Sequence, residues 1–231
     1  MKFWRRHWYW IGGVIFVALV FFMGFWGSEH LPRIQTILIF SWMAMLIHQV
    51  EEYGYPGGFP SITNMAVLKE KHAPYKYVFN AQGCFICNVF FCYAFYIIAI
   101  LFPNVVWLGA SQVFCALVQL VAHGLLMNIA LGWIYNPGLG ATVFLQLPVM
   151  IYYIWYVITY MPDKAWELVL GIPGCIIAML LVFIIPAFAT RSRSTPYAFD
   201  EEEMFGYKKD EVLEIYNNGK PSLLERLGLH L

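Results

Sequence analysis

Residues 77–102 read YVFNAQGCFICNVFFCYAFYIIAILF, and they begin a stretch that continues to Pro162 without one Lys, Arg, Asp or Glu. A transmembrane helix needs about 20 mainly apolar residues to cross the hydrocarbon core of a bilayer. The stretch is therefore long enough for three or more crossings. Because a water-soluble domain of this size carries charged residues on its surface, the sequence predicts a membrane protein.

The composition of the whole chain agrees with this prediction. Of its 231 residues, 61% are hydrophobic and 12% are charged, which is about half the charge of a soluble domain. The net charge is zero, so no overall field favours nucleic acid as a partner. We therefore expect the lipid bilayer to surround the protein and predict no nucleic-acid partner.

Turn signals rich in Gly, Pro and Asn divide the apolar sequence into six segments. The sequence predicts an all-α, polytopic transmembrane helix bundle, with helices at about 8–27, 33–53, 83–102, 105–134, 140–160 and 166–190. We predict that residues 1–190 form this bundle and that residues 191–231 form a cytoplasmic tail. Short helices are predicted in the tail at 208–216 and 221–229.

The distribution of basic residues predicts the orientation in the membrane. With a cytoplasmic N-terminus, most of the Lys and Arg residues that flank the helices fall on the cytoplasmic side, as the positive-inside rule requires. Those on that side are Lys2, Arg5, Arg6, Lys69, Lys71, Lys76, Arg191 and Arg193, and those on the other side are Arg33 and Lys164. We therefore predict that both termini are cytoplasmic.

The second predicted helix ends in the sequence HQVEE at residues 48–52. His48 precedes Glu51 and Glu52 by three and four residues, so the three side chains are expected on one face of the helix. Ionisable side chains at membrane depth are costly and require partners or protons. The alternative interpretation is that the two acids only mark the helix end, but acids there oppose the helix dipole.

Partners for these residues are expected from the topology. Counted from the same membrane face, His48, Asn88, His123 and Asn128 lie at similar depths. His123 is the other histidine inside a predicted apolar helix, and Gln119 lies one turn away from it on the same face. A histidine at the level of a second histidine and two glutamates indicates a functional site rather than a packing residue.

Two chemistries suit such a site, and the sequence leaves both open. In the first, His48, Glu51, Glu52 and His123 bind a divalent metal, with zinc or iron favoured by mixed imidazole and carboxylate ligands. In the second there is no metal, and Glu51, Glu52 and His123 act as general acids or bases. Asn88 is a candidate catalytic residue, and in the first case Asn88 or Asn128 is expected to orient the substrate.

Glycine and proline follow the glutamates directly, in the sequence YGYPGGFP at residues 53–60. This density of helix-breaking residues is typical of a turn, and it suits a lid over the site. A second turn, NPG at 136–138, is expected on the same membrane face. The predicted substrate or lid residues are Tyr53, Tyr55, Asn128 and Asn136.

At residues 48–52 the chain resembles the HXXEE family of small membrane proteins, which is named for this motif. The resemblance extends to the YPGGF stretch, to His123 and to the turn at 136–138, and it covers the helices but not the acidic tail. It implies a site at these residues and no particular activity. The chain is also similar to CAAX-type intramembrane proteases in its adjacent glutamates, membrane histidine and asparagine, although the arginine that follows the glutamates in that family is absent here.

The sequence therefore leaves three hypotheses for the function open. The first is an integral membrane enzyme with a site near the cytoplasmic face and a hydrophobic or lipid-like substrate. The second is an ion- or proton-coupled transporter that uses the same residues. The third is a non-catalytic membrane protein whose tail recruits partners.

Overall fold

The computed structural model describes residues 2–206 and 208–219, and it is all-helical in this part of the chain. Six helices are long and apolar enough to cross a membrane, as in an integral membrane protein. They are α1 Lys2–His30, α2 Arg33–Tyr53, α3 Ala81–Leu101, α4 Val106–Leu131, α5 Leu139–Tyr160 and α6 Glu167–Thr190. The predicted fold class and the six predicted helices are confirmed, with boundaries that differ by a few residues except for the longer α1.

Helix α2 is the central helix of the bundle. In its most apolar window, 72% of the residues are buried, against 17% in the windows of α1 and α6. A helix that is buried on most sides is surrounded by protein rather than lipid, so polar side chains on it can find protein partners. Its position explains how α2 accommodates His48, Gln49 and Glu52, which are all buried.

The six helices run alternately up and down, so the α2–α3 and α4–α5 connections and the tail lie at one end of the bundle. We call this end the loop face; it carries residues 54–80, 132–138 and 191–219. Gly58, Gly132 and Gly138 turn the chain there with φ of +100°, +69° and +104°, a region that side chains rarely adopt. The cytoplasmic location of this face stays a prediction.

Small residues bring α4 and α6 together at the opposite end. A Cβ on Gly171 would lie 2.4 Å from the Ala110 Cβ, and one on Gly174 would lie 2.0 Å from the Ser111 Oγ. Cys115 and Cys175 continue this contact with their Sγ atoms 3.8 Å apart. Close approach at small residues is the usual packing of membrane helices.

The tail packs on the loop face through two short helices, α7 Glu201–Phe205 and α8 Lys209–Asn218. Helix α8 lies where a helix was predicted at 208–216, and the helix predicted at 221–229 lies outside the described residues. Five buried tail residues join a cluster with α1, α2 and the 54–80 loop: Phe199, Met204, Phe205, Val212 and Ile215. The division of the chain at residue 190 stays a prediction.

Glu70 holds the tail to the 54–80 loop by an ion pair. Its Oε2 lies 2.6 Å from Nη2 of Arg193, and its Oε1 accepts hydrogen bonds from the backbone N–H groups of His72 and Ala73. The Tyr216 hydroxyl of α8 donates to the Glu70 carbonyl at 2.7 Å. The Arg193 guanidinium lowers the pKa of Glu70 from its ordinary value of 4.5 to about 2.

This ion pair predicts a pH dependence of stability. A carboxyl whose pKa is lowered by folding stabilises the folded state above its ordinary pKa, and this contribution is lost as the pH falls through the folded value. The wild type should therefore unfold at a higher temperature than Glu70→Gln at pH 7, and the difference should shrink between pH 4.5 and pH 2. Thermal unfolding in detergent measures this, with Glu29→Gln as a control at the exposed end of α1. A difference that grows on acidification would contradict the assignment.

Candidate metal centre

Three ionisable side chains converge inside the bundle near the loop face. His48 and Glu52 lie one helical turn apart on α2, and His123 comes from α4. The His48 and His123 residues are 0% and 1% exposed, and Glu52 is 6% exposed. Glu52 Oε1 lies 3.5 Å from His48 Nε2 and 3.2 Å from His123 Nε2, and one ligand-type atom of each residue lies within 4.8 Å of the others. The structure thus brings together side chains of α2 and α4 that the sequence placed at similar depths in the membrane.

The connection between α4 and α5 fixes the ring of His48. Its Nδ1 lies 2.9 Å from the Gly138 carbonyl oxygen. Because a carbonyl only accepts hydrogen bonds, Nδ1 carries the proton and donates it. In the neutral ring, the lone pair is then on Nε2, which faces Glu52.

A pair of asparagines fixes the ring of His123 in the same way. The Asn136 Nδ2 group donates to the His123 carbonyl at 2.6 Å and to Asn128 Oδ1 at 2.8 Å. These two acceptors orient the amide, so Asn136 Oδ1 is the atom that lies 2.7 Å from His123 Nδ1 and accepts its proton. Asn128 and Asn136, predicted as substrate or lid residues, thus lie behind His123 and orient it.

The group therefore presents three electron pairs to one point. Neither His48 Nε2 nor His123 Nε2 has a hydrogen-bond partner in the described part of the chain, and both face the Glu52 carboxylate. Buried polar atoms normally have partners, so an orphaned pair requires an explanation. Imidazoles that donate one N–H to a carbonyl or amide oxygen while the other nitrogen stays free are typical of metal ligands.

Glu51 does not join this group, which corrects the expectation that both glutamates face it. Its Oε1 accepts from the Gly140 N–H at 3.0 Å and from the Tyr135 hydroxyl at 2.7 Å, and its Oε2 accepts from the Ala141 N–H at 2.7 Å. The first N–H groups of a helix lack partners within it and favour an anion. The N-terminus of α5 therefore stabilises Glu51, although the residue lies at the unfavourable end of α2.

Asn88 lies beside the group without a direct contact to the histidines. Its Oδ1 accepts from Gln49 Nε2 at 2.9 Å, and its Nδ2 donates to the Cys84 carbonyl at 2.9 Å. The bond to Gln49 ties α3 to α2. Asn88 also lines the cavity described below, so its predicted role in orienting a substrate stays open to test.

The two predicted tyrosines do not line the site. Tyr53 packs against Trp8, Tyr9 and Phe59, and Tyr55 is 77% exposed. Phe59 is the residue of the 53–60 stretch that lines the cavity. The tail covers the outside of this turn, since a Cβ on Gly58 would lie 2.7 Å from the Phe205 carbonyl oxygen.

A cavity of about 230 Å³ extends from the group into the membrane-spanning part of the bundle. At one end its wall is formed by His48, Glu52, His123, Asn88 and Gln119. Most of the remaining wall is apolar and comes from α2, α3, α4 and α6. An apolar pocket with a few convergent polar groups is the usual form of a small-molecule site.

The comparisons with known proteins identify the central part of the chain. Residues 39–153 match the model of a family described as a protein of unknown function with HXXEE motif. These 115 of the 231 residues carry the HXXEE family's sequence pattern. The letters of the motif fall on His48, Glu51 and Glu52. No curated protein and no solved structure matches the chain.

The match gives the HXXEE motif a structural context. It runs from within α2 to within α5, so it contains both histidines, both glutamates and the 132–138 connection that orients the rings. The matched segment is shorter than the resemblance predicted from the sequence, because α1 and α6 lie outside the match. In this HXXEE chain, the two glutamates of the motif have different partners: one contacts histidines, and the other contacts the N-terminus of α5.

The sequence analysis did not single out several residues of this site. The Gly138 carbonyl is a backbone group and has no side-chain signature. Thr142, whose hydroxyl donates to that carbonyl at 2.8 Å, has the appearance of an ordinary helix residue. Gln49 lies inside the motif, and its polar side chain within an apolar helix was the signal that could have found it.

Proposed function

We propose that this HXXEE protein is a membrane-embedded, metal-dependent enzyme that acts on a hydrophobic substrate. One observation carries the proposal: two buried imidazoles present unpartnered Nε2 atoms to a single buried carboxylate. With both rings neutral, three lone-pair donors face one another and repel unless a proton or a metal cation lies among them. A divalent metal satisfies all three at once.

The spacing of the donor atoms favours a tetrahedral metal. Zinc bonds of about 2.0–2.1 Å place two ligand atoms of a tetrahedron about 3.3–3.4 Å apart. The two measured separations from Glu52 Oε1, 3.2 and 3.5 Å, lie on either side of this value. Two of the three ligand separations therefore fit a tetrahedral zinc site, and we propose zinc as the metal.

The number of ligands favours a catalytic site over a structural one. Structural zinc sites use four protein ligands, whereas catalytic sites use three and keep one position open. His48, Glu52 and His123 supply three, and the same residues line the cavity. A metal held there would supply a polarising charge and an activated water.

Each residue of the proposed site then has a definite role. The two histidines and Glu52 bind the metal, and Gly138 and Asn136 hold the imidazole rings with Nε2 facing inwards. The amides of Asn88 and Gln119 provide hydrogen-bonding groups for a substrate in the cavity. Glu51 holds no metal and stabilises the start of α5.

Metal analysis of the purified protein tests the proposal. We expect about one zinc per chain in the wild type, and less than about a tenth of that in the double variant His48→Ala, His123→Ala, because two of three ligands are removed. The matched control is His30→Ala, since His30 is exposed at the end of α1 away from the loop face. The control should retain the wild-type content.

Three outcomes would count against the proposal. Wild-type protein without stoichiometric metal, after expression in zinc- and iron-supplemented medium, would eliminate the metalloenzyme and favour acid–base or proton-transfer chemistry. Equal metal content in the double variant would place the metal elsewhere. Cation- or pH-dependent solute flux in proteoliposomes, without chemical change of the solute, would identify a transporter.

A further inference from the structure

Helices α4 and α6 are in contact at the end of the bundle away from the loop face, and they diverge towards the loop face. They touch at Cys115 and Cys175, but beyond this point α6 turns to α3. The Cys87 Sγ lies 3.7 Å from the Phe183 carbonyl oxygen, and the Asn80 amide donates to the Thr190 carbonyl. The gap that opens between residues 118–127 of α4 and 178–184 of α6 is called the fork below.

The cavity lies in the fork. Val118, Gln119 and Ala122 of α4 and Met179 and Val182 of α6 line it, and all five are half-buried. Because these residues belong to membrane-spanning helices, the exposed part of each side chain faces lipid rather than water. The cavity therefore has its candidate metal centre at the inner end and its mouth in the hydrocarbon region.

The volume of the cavity limits what it can hold. An apolar cavity of about 150 Å³ accommodates a benzene molecule, so 230 Å³ holds about nine non-hydrogen atoms. This is one stretch of a single chain with a small polar group. Two acyl chains side by side do not fit.

Entry of a chain into this cavity gives little hydrophobic free energy, because lipid tails are as apolar as the cavity walls. Binding then depends on the polar groups at the inner end and on the shape of the fork. A molecule with a small oxygen-bearing headgroup at the end of one chain satisfies both conditions.

We infer that the substrate is a single-chain amphiphile that enters sideways from the bilayer through the fork. Its oxygen-bearing headgroup reaches His48, Glu52 and His123, while the distal part of its chain remains between α4 and α6 or in the lipid. The term substrate rests on the proposed function; the binding of such a molecule in the fork does not.

Photo-crosslinking in phosphatidylcholine nanodiscs tests the inference. The probes are hexadecanoic acid and hexadecan-1-ol with a diazirine on the chain, and a two-chain phosphatidylcholine with the same diazirine. We expect the single-chain probes to label residues of the fork about tenfold more than the two-chain probe, which corresponds to about 1.4 kcal/mol.

Matched pairs of variants locate the binding site. Val118→Trp fills the fork, whereas Leu117→Trp places the same ring on a neighbouring residue that is 46% exposed to lipid. Val182→Trp and the exposed Leu181→Trp form the second pair. Labelling of the fork should fall about tenfold in the two valine variants and stay unchanged in the two leucine variants, with a wild-type unfolding temperature in all four as evidence of an intact fold.

The outcomes separate this inference from the proposed function. Equal labelling by one- and two-chain probes, or undiminished labelling in both valine variants, overturns the inference. Selective labelling of the fork in protein that binds no metal supports the inference and contradicts only the metalloenzyme.

Discussion

Replacement of Glu52 by glutamine is expected to lower zinc affinity by more than about 100-fold, while Glu51→Gln leaves it nearly unchanged. Loss of a residue that only orients a ligand typically costs about 10–100-fold in metal affinity, and Glu52 is proposed as a ligand itself. Glutamine keeps the shape of the side chain but removes the charge that faces two imidazoles. Titration of the metal-free proteins with zinc measures both affinities.

Glu51→Gln should instead lower stability. The Glu51 carboxylate accepts three hydrogen bonds at the start of α5, and an anion at a helix N-terminus stabilises it. We expect a loss of about 1–3 kcal/mol, the usual contribution of hydrogen bonds to a charged group, seen as a lower unfolding temperature in detergent. If both variants lose zinc equally, the division of roles between the two glutamates is wrong.

The second large effect is expected from Gly138→Ala, which should abolish zinc binding and destabilise the protein. A Cβ on Gly138 would lie 2.5 Å from Cε1 of His123, so the ring must move. The φ of +104° adds about 1–3 kcal/mol of backbone strain for any residue with a side chain. The carbonyl of the same residue orients His48, so one methyl group disturbs both histidines.

Two glycine variants serve as controls for Gly138→Ala. Gly24→Ala adds a methyl group to α1 where no atom lies within 4 Å, and it should change nothing. Gly132→Ala adds a methyl group at a second position of positive φ, +69°, in the same connection, so it reports the cost of backbone strain. Zinc affinity and unfolding temperature are measured for all three. Wild-type zinc affinity in Gly138→Ala would show that the ring positions do not depend on this turn.

The sequence was sufficient for the six helices, because hydropathy over about 20 residues directly reflects the thickness of a bilayer. It was also sufficient to bring His48, Glu52 and His123 together, since alternating helices place residues of equal depth at one level. Depth does not give the rotation of a helix about its axis. That rotation separates Glu51 from Glu52, and it depends on packing against α4 and α5.

Orienting groups were harder to predict than the candidate ligands. Asn136 was singled out as part of a turn and assigned to a lid, but its amide holds His123. The turn geometry that brings this amide back to α4 depends on Gly132 and Gly138 together. Tyr53 and Tyr55 were assigned to a lid from their neighbours in sequence, yet Tyr53 packs against the aromatic rings of α1 and neither tyrosine lines the cavity.

The Gly138 carbonyl that orients His48 is supplied 90 residues later in the chain. Proteins are synthesised from the N-terminus at about 5–20 residues per second, so α2 enters the membrane well before its orienting groups exist. During this interval, His48 and Glu52 must be hydrated, protonated or held by the insertion machinery. If the group holds a metal as proposed, its rings reach their final orientation for that metal once α5 has been inserted, and a chain truncated before this helix lacks the group that orients His48.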